Sequence, residues 1–176
     1  VSIVREKETG TMEVLLVSPF NPFLVIISKA IPYLVLSLIN LTVILVLSVT
    51  LLEMPINGSL WLLVAESTLL IICALSLGLL ISNNTQSQQS AMLISMMGML
   101  VPTMLFTGFM FPIENMPVPL QVITNIVPSK WYYIIVKSIM IKGLGFSAIW
   151  RETLILFGTT CFLLFVSLKT FKNRLV

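Results

Sequence analysis

The sequence predicts an all-α, polytopic membrane helix bundle that crosses the bilayer about four times. Three observations predict it. Of 176 residues, 57% are apolar and only 10% are charged, where a soluble domain carries about a quarter charged. Mean hydropathy is +1.06. Four apolar runs approach or exceed the ~20 residues that a helix needs to cross a hydrocarbon layer roughly 30 Å thick. Charges this sparse cannot solvate a globular surface, whereas lipid covers an apolar one without them.

The chain opens at Val1 on a short apolar stretch that runs into charges, the reverse of a signal peptide. An upstream part is therefore expected. Residues 1–22 are read as a cytoplasmic segment and residues 23–176 as the transmembrane domain. Within the first, Gly10 can close one helix in a left-handed cap. Thr11 can cap a second, short helix, with Glu13 near its positive end, until Pro19 stops it. By its residues alone, this helix reads equally well as lying on lipid and as docking a partner.

The first span is expected over 23–52, with Asn21 as cap and Pro22 at the position where a missing N–H costs nothing. Lys29 can snorkel to headgroups, and Pro32 predicts a kink. Pro55, Asn57 and Gly58 make a turn before the second span, 60–82. The uncharged polar stretch Asn83–Ser90 is a tight loop, followed by a methionine-rich third span, 91–111, with small residues at Gly98, Thr103, Thr107 and Gly108. From 112 to 152, Pro112, Pro117, Pro119 and Pro128 punctuate two apolar stretches too short to cross. Such stretches lie at the interface or dip in and return. Trp131, Tyr132, Tyr133 and Trp150 suit the headgroup level. The fourth span is expected over 153–171.

Four crossings put both ends on one side. Arg5, Lys7, Lys29, Lys169, Lys172 and Arg174 mark that side as cytoplasmic, against Lys130, Lys137, Lys142 and Arg151 in the outer loop.

Catalytic chemistry is not expected. There is no histidine, the commonest general base and metal ligand. Cys73 and Cys161 sit inside apolar runs and read as small buried hydrophobes. The nearest thing to a phosphate-binding loop, Lys142-Gly143-Leu144-Gly145, lacks the lysine that must follow. A net charge of +3, scattered along the chain, does not suggest nucleic-acid binding. No cofactor or metal is expected.

Glu66 is the only acid well inside a span. An intramembrane carboxylate is costly and points to function, unless it reaches the outer headgroups or pairs with a base of the outer loop. Met96 and Met99, with the other methionines of the third span, can line an adaptable substrate path or simply pack against lipid and neighbouring helices.

Two motifs carry a resemblance to a family. Arg5-Glu6-Lys7-Glu8-Thr9-Gly10-Thr11-Met12-Glu13, followed by Leu15-Leu16-Val17-Ser18-Pro19, resembles the cytoplasmic loop of type 2 ATP-binding-cassette exporter permeases. Thr107-Gly108-Phe109-Met110-Phe111-Pro112-Ile113-Glu114-Asn115-Met116-Pro117, with Pro128 downstream, resembles their outer loop. The polar loop with Gln86, Gln88 and Gln89 before Ala91-Met92 is similar too. The resemblance covers essentially the whole chain. Family permeases have six spans, so this chain corresponds to the last four, without the first span and the large outer segment of many members.

The resemblance implies that the chain is a non-catalytic permease subunit in the cytoplasmic (inner) membrane, moving a substrate outward on energy from a separate ATPase subunit. It implies a coupling helix seated on that ATPase through Glu6, Glu8, Gly10, Thr11, Met12, Leu15 and Leu16. It also implies a re-entrant outer loop shaped by Pro112, Glu114, Pro117 and Pro128. A second permease copy or paralogue and membrane lipid complete the set of partners. The alternative is a non-transporting membrane scaffold that docks a cytosolic protein.

Overall fold

The computed structural model describes Val4 and residues 22–173, apart from the side chains of residues 22–26 and 171–173. The predicted coupling segment, with Glu6, Glu8, Gly10, Thr11, Met12, Leu15 and Leu16, lies outside the described residues. The elements in chain order are α1 (Pro22–Thr50), α2 (Leu60–Asn84), α3 (Gln88–Ser95), a π-helical turn (Met96–Leu100), α4 (Val101–Phe106), a 3-10 turn (Ile113–Asn115), α5 (Val118–Thr124), α6 (Pro128–Met140) and α7 (Phe146–Asn173). No strand occurs among the described residues. Four stretches are long and apolar enough to cross a membrane: Ile27–Thr50, Leu60–Asn84, Gln88–Phe106 and Phe146–Thr170.

The centre of the bundle is the pair α2–α7. Contacts between Glu66 and Thr153, Cys73 and Thr160, and Asn83 and Ser167 advance together along both helices, so the two run parallel. Small side chains make this possible: Ser67, Cys73, Ser76 and Ser82 on α2 and Thr160 and Ser167 on α7 are all buried. Small residues let membrane helices approach where no hydrophobic force drives them together. Near the first turns of the pair, α6 packs across both, and Leu63, Ile135, Ile139, Met140, Ile149 and Leu156 form the apolar core.

By contrast, α1 is peripheral. It continues through Pro32, contacts the bundle along α2, and none of its described residues is buried. The hydroxyls of Thr42, Ser48 and Thr50 donate to the carbonyls of Leu38, Ile44 and Val46, so no polar group of these side chains is left bare. Its end is a left-handed cap in which Glu53 takes φ 48° and the Met54 N–H reaches the Ser48 carbonyl at 3.1 Å. Glycine is the usual residue for that position.

The expected loop 83–90 shrinks to Thr85–Ser87, because Asn83 and Asn84 finish α2 and Ser87 caps α3 by accepting from the Ser90 N–H at 3.2 Å. The third span departs most from a regular helix. Pro102 has no N–H, and its ring excludes a normally placed carbonyl one turn back. The chain answers with the π turn, in which the Val101 N–H bonds to the Met96 carbonyl. The span closes at Phe106 rather than Phe111. Gly108 then turns the chain at φ 86°, and any Cβ there would sit 3.2 Å from the Ile113 side chain. At the other end of the segment that follows the third span, α7 starts at Phe146, ahead of the expected Thr153. Ile149 faces the core while Trp150 and Arg151 face out, so a charged turn is still helical.

Candidate functional site

The prolines of the segment between the third span and α7 act as helix starters. Pro112 precedes the 3-10 turn that holds the exposed Glu114, Pro117 precedes α5, and Pro128 opens α6. The corner between α5 and α6 is pinned by Lys130, whose ammonium donates to Asn125 Oδ1 at 2.6 Å and Thr124 Oγ1 at 3.1 Å. The Trp131 indole N–H reaches the Asn125 carbonyl at 2.9 Å. Its hydrogen bond folds it onto the corner, while Trp150 stays exposed. A second clamp ties α6 to the turn after α1. The Asn57 N–H and amide donate to the Met140 and Ile141 carbonyls at 3.2 and 3.1 Å, satisfying two of the orphan carbonyls of that helix end. Gly143, read as part of a near-miss phosphate loop, is the left-handed cap of α6 at φ 63°, with the Leu144 N–H on the Ser138 carbonyl.

Glu66 lies inside this frame. It is 4% exposed, and its Oε1 accepts from the Thr153 hydroxyl at 2.8 Å. Its Oε2 is buried with no hydrogen-bond partner among the described residues. It therefore neither reaches the headgroups nor pairs with a base of the outer loop. Helix α7 supplies its partner, a neutral hydroxyl. Beside it, Ser67 Oγ and the Tyr132 hydroxyl meet at 2.7 Å, so Tyr132 is turned into the bundle rather than toward the interface. Burial pushes the Tyr132 phenol above its ordinary value, with the Ser67 hydrogen bond opposing.

Glu66, Ser67, Tyr132 and Thr153 thus join α2, α6 and α7. Removing one partner of a buried polar pair costs about 1–3 kcal/mol, while replacing both with apolar groups is close to neutral. Thr153→Val should therefore lower thermal stability in detergent, and Glu66→Leu combined with Thr153→Val should recover most of it. If the double variant is as unstable as the sum of the singles, the two residues do not act as a pair.

A groove of about 410 Å³ runs between α2 and the third span, under the α5–α6 corner. Met99 is on its wall, with Leu70, Cys73 and Leu77 opposite. Met96 is 61% exposed, and neither it nor Glu66 is among the residues that line the groove. The structure thus does not bring Glu66, Met96 and Met99 into one path. Cys73 is buried, but Cys161 is exposed on the outer face of α7. At the end of the groove nearest the α5–α6 corner, Thr107, Ser129 and Thr103 form a hydroxyl chain, with 3.3 Å between the first two and 3.4 Å between the last two. Thr107 also donates to the Thr103 carbonyl. Sequence reading marked Thr103 and Thr107 as small and missed their joint role. The signal was Ser129, a hydroxyl directly after the helix-opening proline.

What these observations define is a multi-pass, all-helical membrane protein. Residues 1–169 match the family described as ABC-2 family transporter protein, and the chain belongs to that family. It is 34% identical over 152 residues to a probable multidrug ABC transporter permease, YbhR, of Escherichia coli K12, covering 86% of this chain and 41% of the relative. It is 32% identical over 141 residues to a second such permease of the same strain, YbhS, covering 80% and 37%. A match of 26% identity over 176 residues links it to ABC transporter G family member 20 of Dictyostelium discoideum, covering 99% and 24%. The chain therefore spans about two-fifths of the length of the bacterial relatives. No solved structure matches it significantly.

Proposed function

We propose that this chain supplies four spans of the permease of an ATP-driven exporter in the cytoplasmic membrane. The observation that carries the reading is the family match, which runs through nearly the whole chain, including the predicted coupling segment. In this reading a separate ATPase subunit hydrolyses ATP, and Gly10–Pro19 docks on it. The outer segment with Pro112, Glu114, Pro117 and Pro128 is re-entrant and covers the exit. A second permease copy or paralogue completes the pathway, which is supported by the apolar sides that α1 and the third span leave exposed. The names of the bacterial relatives put drug-sized organic molecules among the substrates to test.

Purification of the full-length permease from its native membrane tests this. An ATPase with a Gly-Lys-Ser/Thr phosphate loop should come with it in stoichiometric amount. A permease that is stable and well inserted yet brings down no such subunit would favour the scaffold reading instead.

A further inference from the structure

We propose that the groove between α2 and the third span is a binding site for an uncharged, hydrophobic molecule of drug size. As a statement about substrate this rests on the exporter reading, but the site itself is argued from its walls. Leu70 and Leu77 sit in the middle of α2, and Met99 sits in the middle of the third span, so the groove lies at hydrocarbon depth. Its volume, about 410 Å³, falls in the range of small-molecule sites, roughly 300–1,000 Å³.

The walls decide the chemistry of the occupant. No charged residue lines the groove. Its only hydroxyls, Thr103 and Ser129, are already engaged with each other and with Thr107. An ionic or strongly hydrogen-bonding ligand would leave water there and find no partner, a loss that binding rarely recovers. A neutral apolar molecule loses nothing of the kind. The π turn shapes one wall. It carries Met99, whose unbranched thioether adapts to different outlines. Beside it the wall is recessed at Gly98, where an added Cβ would meet nothing within 4 Å.

The test uses the full-length permease with its ATPase in nanodiscs. The probe is the uncharged dye N-phenyl-1-naphthylamine, with anilinonaphthalene sulfonate as its anionic counterpart. The neutral dye should bind saturably above the level of empty discs, and the anionic one should not. Gly98→Leu and Ala74→Leu fill the groove from opposite walls and should each weaken neutral-dye binding about tenfold or more. Met97→Phe, on a side chain 72% exposed outside the groove, should stay within about twofold of wild type. Met97→Phe should also leave basal ATP hydrolysis unchanged. The proposal is overturned if both groove-filling variants bind like wild type. It is equally overturned if the anionic dye competes as well as the neutral one. Dye binding no higher than in empty discs, as when a phospholipid chain holds the groove, also overturns it. Saturable, variant-sensitive dye binding by a permease that carries no ATPase would strike the exporter reading and leave the site standing.

Discussion

Gly58→Ala should destabilise the protein by about 3 kcal/mol, a large effect for the addition of one methyl group. The added Cβ would lie 2.6 Å from the Ile139 carbonyl oxygen and 2.9 Å from the Ile139 Cγ2. Backbone that close cannot move aside alone, because Asn57 holds the neighbouring Met140 and Ile141 carbonyls and Ile139 is fully buried. The substitution must therefore lift the turn after α1 off α6 or push α6 off the α2–α7 pair. The expected readout is a drop in thermal midpoint on the order of 10 °C in detergent. Gly158→Ala is the matched control. A Cβ there meets nothing within 4 Å, and alanine is about 0.5–1 kcal/mol better than glycine in a helix. Equal midpoints for the two variants would mean that α6 is not seated on the Asn57–Gly58 turn.

Charged replacements in the coupling segment should have the largest functional effect. Leu15→Asp or Leu16→Asp in the full-length permease is expected to abolish co-purification of the ATPase, or to abolish transport-stimulated ATP hydrolysis. A docking helix binds through a few buried anchors, and truncating one typically costs more than ~1 kcal/mol. Burying a carboxylate in its place costs more again. Gly10→Val should act in the same direction by closing the left-handed region that a helix cap at this glycine requires. Insertion should be unaffected, because no span is altered. Full ATPase binding and coupled turnover in all three variants would place the segment on lipid and remove the main mechanistic support for the exporter reading.

The four apolar helices were legible because hydropathy is a local property: a run of Leu, Ile and Val announces its own environment. Ends were less legible where a local signal conflicted with a distant one. Trp150-Arg151-Glu152 looks like loop, yet Ile149 has a core to enter and carries those residues into α7. Pro102 held the clue to the π turn, because a proline removes one helix hydrogen bond and its ring crowds the carbonyl one turn back. The partner of Glu66 was not legible. A carboxylate in a span states its need for a hydrogen bond, but Thr153 becomes its donor only once α2 and α7 lie side by side. The same holds for Asn57, an ordinary turn residue until α6 ends beneath it. Resemblance alone indicated the role of the coupling segment, since physical reading left docking and lipid contact equal.

The parallel pairing of α2 with α7 also sets the order of events during synthesis. Parallel neighbours cannot be joined by a hairpin, and the hydrogen bond from Thr153 to Glu66 closes a separation of 87 residues. At about 5–20 residues per second, Glu66 leaves the ribosome roughly 4–17 s before its donor exists. During that interval α2 must wait in the insertion machinery or in lipid with its carboxylate unsatisfied. The three spans made before α7 are thus a holding state, and the α2–α7 pairing is committed only when α7 is made.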